Sequence, residues 1–152
     1  MKGRKPGPYH HGDLRRALLD VALKLVAEKG IVGLTMREAG RLAGVSQAAP
    51  YRHFADKNAL LLAVAEEGFR AMHLQILASL REAGPDAASR LSAIGVGYVG
   101  FAVAHPSHFR IMFSQELTRA PASPTAEETA MGAFNELATE IFQGQATQAL
   151  PS

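Results

Sequence analysis

Apolar positions recur along most of the chain at the three- and four-residue steps of an α-helix, and no stretch alternates as a strand does. From Asp13 onward, Leu14, Leu18, Val21, Ala22 and Leu25 share one face, with Arg15, Arg16 and Lys24 largely opposite. Gly30 stands where a left-handed cap would end that helix. Thr35, three residues before Glu38, is a capping box for a second, short helix that Gly44 interrupts. Ser46, a favoured N-cap residue, opens a third helix running through Gln47-Ala48-Ala49-Pro50-Tyr51-Arg52-His53. Pro50 lies early in it, where amides have no intrahelical acceptor to lose. Asp56 caps a fourth helix, in which Leu60, Val64, Phe69, Met72, Ile76 and Leu80 repeat until Gly84-Pro85. About 25 residues at 1.5 Å each reach roughly 37 Å, enough to link two lobes. A helix over 86–105, a break at His105-Pro106, a short helix over 106–117 and a loop over 118–124 follow. Thr125 with Glu128 opens a last helix that fades near Gly144. The expected fold is all-α.

Length and composition narrow the class. A chain of 152 residues fits one domain or two small ones sharing a helix, and 47% apolar with 20% charged residues favours a packed core over global disorder. The absence of cysteine excludes disulfide scaffolds, cysteine zinc sites, iron–sulfur clusters and thiol nucleophiles. No apolar signal core follows the basic N-terminus, and the apolar run Leu91 to Ala104 is 14 residues, too short to span a bilayer. A soluble, cytoplasmic protein is expected. Charge then divides the chain. Residues 1–60 carry eleven Lys/Arg against five Asp/Glu, whereas residues 61–152 carry five against nine. A basic half joined to an acidic half predicts two surfaces with two tasks, the first facing a polyanion, most commonly nucleic acid.

Residues 35–53 have helix-turn-helix grammar: two short helices joined at Ala43-Gly44-Val45-Ser46, with small Ala39 and Gly40 where they cross. On the second helix Ser46, Gln47, Ala48, Ala49, Tyr51 and Arg52 offer a short side chain, an amide and a long donor. Gln bonds adenine bidentately and Ala meets a thymine methyl. On spacing alone, an ordinary helical hairpin in an all-α core fits equally well.

The stretch TMREAGRLAGVSQAAPYRHFADKNALL, with its GVS turn, Y-x-H-F end and following K-x-x-L, closely resembles the DNA-binding helix-turn-helix of TetR-family transcriptional regulators. YHHGDLRRALLDVALKLVAEKG is similar to that family's first helix, so the resemblance covers about residues 9–65; YVGFAVAHPSHFRIMF resembles the regulatory domain of one subgroup. The resemblance implies a basic arm (1–12), a three-helix DNA-binding domain (13–57) and, joined by a long helix, a helical ligand-binding and dimerisation lobe (58–152). It implies a homodimeric repressor, or an activator, that leaves a palindromic operator in double-stranded DNA when a small apolar or amphipathic effector binds. It places Thr35 on a phosphate, Arg37 on a base edge or a phosphate, Gln47 and Ala48 in the groove, and Tyr51 in the groove or on a phosphate. His53 and Lys57 match phosphate contacts, while Leu42, Val45, Pro50 and Phe54 are expected in the core. A cation at a helix N-terminus opposes the macrodipole, which for Lys57 favours a phosphate partner. Lys2, Arg4 and Lys5 reach the minor groove or form a solvated tail. Gly40 replaces the family's usual alanine, which closer helix crossing can offset. The chain also looks short at the C-terminus, which bears on dimerisation and on a complete pocket.

On the helix over 86–105, Ala93, Gly97, Gly100 and Ala104 make a small-residue stripe beside a bulky one, Ile94, Tyr98, Phe101 and His105. The small stripe permits close packing or leaves room for a ligand; Phe69, Met72, His73, Phe109, Met112 and Phe113 complete a candidate apolar pocket with Tyr98, Phe101 and His105. An ordinary helical core accounts for the same residues. His10-His11 and His105-x-x-His108 lack carboxylates at helical spacing, so no metal or other cofactor is expected. No Ser-His-Asp order, phosphate-binding loop or facing carboxylate pair argues for an enzyme. The reading in a different class is a helical ligand-binding or interaction module with a vestigial or non-specific DNA surface.

Overall fold

The computed structural model describes residues 13–119. The arm 1–12 and the helix expected from Thr125 lie outside them. Among the described residues every regular element is a helix: α1 (Leu14–Lys29), α2 (Met36–Leu42), α3 (Lys57–Arg81), α4 (Ala87–Ala104), α5 (Pro106–Met112) and α6 (Gln115–Arg119), with 3-10 turns at Ile31–Gly33 and Ala49–Arg52. They fall into two compact units that divide within α3, between Leu60 and Leu61.

In the first unit Leu18, Ala22, Leu25 and Val26 of α1 are fully buried with Leu34, Ala39 of α2 and Leu60. Val21, assigned to the same face, is half-buried, and outward Arg16 pairs with Asp20 one turn on. Gly30 ends α1 at φ +70°, its N–H on the Val26 carbonyl. Thr35 caps α2, accepting the Glu38 N–H at 3.1 Å. The capping box is only half of what its spacing implies: the Glu38 carboxylate turns to Arg41 and Lys29. Cationic partners at 2.7–3.1 Å make stronger hydrogen bonds than a neutral amide. Gly44, at φ +73°, turns the chain after α2 in a conformation costly for other residues.

Three expectations are corrected. The third helix is not an α-helix through Gln47–His53 but a single 3-10 turn, Ala49–Arg52, preceded by turn residues. Pro50 has no N–H for the Ser46 carbonyl, which instead receives the Ala49 N–H at 3.1 Å, and proline disfavours α geometry at the residue before it. Leu42, expected in the core, is 36% exposed, and Val45 is half-buried; Pro50 and Phe54 are buried as expected. The helix expected over 106–117 splits into α5 and α6 around Phe113 and Ser114, the latter a residue type favoured immediately before a helix.

In the second unit Ile76, Leu80, Phe101, Ile111 and Met112 are buried. Asp86 caps α4 by accepting the Ser89 N–H, and Ser89 bonds hold its carboxyl below the ordinary range. His105-Pro106 separates α4 from α5, with proline at the first position of α5. The small stripe resolves toward close packing. A Cβ on Gly97 would stand 2.7 Å from the Ile76 Cα, so the α4 backbone lies directly on α3 there. α4 has 18 residues rather than the 14 of its apolar stretch, with a mean hydropathy of 1.3, and by length and composition it can cross a membrane. About 20 residues is the usual requirement, and Arg90 lies inside this helix.

Candidate nucleic-acid interface

The first unit sets α2 and the Ala49–Arg52 turn against each other through one close crossing. Gly40 is buried, and a Cβ there would meet the Pro50 ring at 3.0 Å. Glycine's cost in helix propensity is thus offset by an approach that a side chain would strain. The Val45 N–H reaches the Gly40 carbonyl at 3.0 Å, fixing the turn, and the Phe54 N–H reaches the Pro50 carbonyl at 3.0 Å, fixing the end of the second element. Phe54 is buried beneath the Arg15 guanidinium, 4.8 Å from the ring centroid.

Over this frame Thr35, Arg37, Ser46, Gln47, Ala48, Tyr51, Arg52 and His53 are all exposed. Tyr51 is 55% exposed, unusual for a large ring beside a small core. The side chains of Arg37, Gln47, Tyr51, Arg52 and His53 make no hydrogen bond or ion pair with the described residues. Two guanidiniums, an amide, a phenol and an imidazole therefore stand within 17 positions of chain with their hydrogen-bonding capacity directed at solvent.

Lys57 differs. It is half-buried, and its Nζ donates to the Ile31 carbonyl at 2.7 Å, tying the start of α3 to the start of the first 3-10 turn. That carbonyl offsets the cation's unfavourable place at a helix N-terminus, so the macrodipole argument for a phosphate no longer stands by itself. Glu38 pairs with two further cations, Lys29 and Arg41, which stay exposed. Hydrogen bonds from Arg41 first, then Lys29, lower its pKa to about 2, so it stays ionised throughout the neutral range. Neither the Lys57–Ile31 bond nor the Arg15–Phe54 stack has a signature in the sequence, because each joins residues 26 or more positions apart.

In the second unit the residues of the candidate pocket form two strings of ring contacts. Phe69 meets Phe113 at 5.8 Å, Phe113 meets Phe109 at 4.8 Å, and Phe109 meets Tyr98 at 5.5 Å. Phe101 meets His105 at 4.9 Å, and His105 meets His108 at 5.8 Å. Met112 is buried beside them, and Met72 and His73 are half-buried. The second string ends on Glu67, 3.4 Å from His108 Nε2, a carboxylate 41 positions away that helical spacing around His108 does not indicate. Among the described residues no group of three or more His, Cys, Asp or Glu could hold a metal ion.

Residues 18–64 match the family model of bacterial regulatory proteins, tetR family. The chain is 37% identical over 81 residues to the HTH-type transcriptional regulator BetI of Agrobacterium fabrum, covering 53% of this chain and 38% of that one. Matches to the curated relatives span only 24–38% of those proteins' length. A solved protein of unknown function from Rhodococcus sp. RHA1 is 36% identical with a TM-score of 0.77, covering 97% of this chain and 75% of that one. A solved bacterial regulatory protein of the tetR family, from Rhodococcus RHA1, is 25% identical with a TM-score of 0.68, covering 88% and 70%.

Proposed function

This chain belongs to the TetR family of bacterial regulatory proteins, and on that premise we propose that it is a sequence-specific DNA-binding transcriptional regulator acting in the cytoplasm. The observation that carries the reading is a set of donors around one packed turn that have no partner among the described residues: Arg37, Gln47, Tyr51, Arg52 and His53. A duplex offers what they lack. Phosphate oxygens take the guanidiniums, the phenol and the imidazole, while an amide at the start of the second element reads a base edge. Thr35 spends its oxygen lone pair on Glu38 but keeps its hydroxyl hydrogen for a phosphate. Ser46 and Ala48, short and exposed, let the backbone approach the groove.

The chain acts as a homodimer on a palindrome, with half-sites about 34–36 Å apart if they lie one helical turn apart. It is a repressor released when a small apolar or amphipathic effector enters the second unit, among Phe69, Tyr98, Phe101, His105, Phe109 and Phe113. The aromatic strings and the His108–Glu67 contact support that assignment by offering both apolar and polar recognition. No catalytic step is part of this reading.

The test is selection of bound sequences from a random DNA pool, with the protein's mass in solution recorded alongside. Enrichment of a palindrome by a dimer is expected. Gln47→Ala then weakens discrimination by about 1–3 kcal/mol at one base pair. Salt-sensitive binding with no enriched sequence overturns the reading in favour of non-specific attachment.

A further inference from the structure

α1 brings to the end of the second element a cation that the proposed DNA contacts leave unused. The Arg15 guanidinium stands 4.8 Å over the centroid of the Phe54 ring, and Phe54 directly follows exposed His53. α1 also packs on the Ala49–Arg52 turn, so this placement belongs to the frame of the first unit. Phe54 is 4% exposed and its N–H is held by the Pro50 carbonyl, which makes the ring a fixed seat. Arg15 itself is exposed and makes no hydrogen bond or ion pair with the described residues. Its neighbour Arg16, also exposed, is by contrast held by Asp20 one turn on.

We infer that Arg15 is a phosphate clamp: seated on Phe54, its guanidinium takes a backbone phosphate of the duplex at the rim of the groove that the second element enters. The inference rests on the reading of the first unit as a DNA reader and adds α1 to its contact surface. A ring face attracts a cation without supplying an oxygen to its N–H groups, so the donors of Arg15 remain open to an anion. The seat also restricts a long side chain in advance, so less freedom is lost when the anion binds. A phosphate suits the position better than a base does. Base edges are met from the start of the second element, at Ser46, Gln47 and Ala48, whereas Arg15 reaches its far end from a different helix. Phosphate oxygens line the groove there, and the guanidinium fork matches two of them at once. Such a contact fixes the register of the second element and carries no sequence information.

The test measures affinity of the full chain for a duplex enriched by selection and for a scrambled one, between about 50 and 200 mM salt. The parent is compared with Arg15→Gln and Arg16→Gln. Both variants lose one positive charge from adjacent exposed positions, so a difference between them reports contact and not net charge. Arg15→Gln is expected to make the slope of log affinity against log salt shallower by about 0.9 for each bound chain. The parent's advantage then grows about threefold to fourfold per bound chain from 200 to 50 mM. The loss is the same on both duplexes, so discrimination is unchanged, and Arg16→Gln keeps a slope close to the parent's. Equal losses of slope in the two variants overturn the inference in favour of a general electrostatic field. A parental slope for Arg15→Gln, together with a lowered urea midpoint, shows that Arg15 only covers Phe54 and overturns it too. A chain that enriches no sequence refutes sequence-specific reading, and the slopes on the scrambled duplex still decide the clamp. A parent that binds neither duplex overturns both.

Discussion

The contact between α3 and α4 can be tested with one methyl group. In Gly97→Ala the new Cβ stands 2.7 Å from the Ile76 Cα, 3.0 Å from its Cγ1 and 3.2 Å from its backbone nitrogen. A side chain can rotate away, but a helix backbone cannot, so the two helices must separate. Overpacking of this kind costs about 1–3 kcal/mol, while alanine gains up to about 1 kcal/mol in helix propensity over glycine. Gly95, two positions earlier, has nothing within 4 Å of a built Cβ, so Gly95→Ala collects the propensity gain alone. Propensity cancels between the variants, leaving a gap of about 1–3 kcal/mol with Gly95→Ala the more stable. At about 2–4 °C per kcal/mol for a chain of this size, the melting temperatures differ by roughly 2–12 °C. Thermal and urea unfolding followed by far-UV circular dichroism read this directly. Ile76→Ala does not restore Gly97→Ala fully, because the nearest atom is Cα. Equal stabilisation by both alanines refutes the backbone contact at Gly97.

Thr35→Ala removes the cap of α2 and lowers the unfolding free energy by about 1 kcal/mol, with Thr35→Ser retaining most of it; urea midpoints check this. Lys57→Met loses the bond to Ile31 and costs about 1 kcal/mol by the same assay. Its ammonium is already engaged, so the slope of log affinity against log salt on DNA stays as in the parent; a drop in steepness of about 0.9 reveals a phosphate contact instead. For Glu38, a folded pKa of about 2 below the ordinary 4.5 means its stabilisation is fully present above pH 4.5 and lost as pH falls through 2. The stability difference between the parent and Glu38→Gln is therefore flat from pH 7 to 5 and shrinks toward pH 2; a difference that widens on acidification contradicts the Lys29–Glu38–Arg41 cluster.

Local rules are enough wherever the cause is local. The start and end of α1, the caps at Thr35 and Asp56, and the break at His105-Pro106 each depend on residues within about four positions, and the structure has them all. The exposed donors Gln47, Tyr51, Arg52 and His53 are legible for the same reason: polar types gathered after a Gly-containing turn have no apolar face to bury. Where two candidates compete for one group, or where distant segments meet, the sequence did not decide. Glu38 could close its capping box, yet folding brings Lys29 within 3.1 Å, and the ion pairs win. By local rules Pro50 is a tolerated early helix residue. Its ring instead locks against Gly40 of α2, and the helix contracts to one 3-10 turn. The small-residue stripe of α4 fitted both a ligand space and a close crossing. Only the approach of Ile76 selected the crossing, because a glycine's empty side can be filled by whichever atoms the tertiary fold delivers.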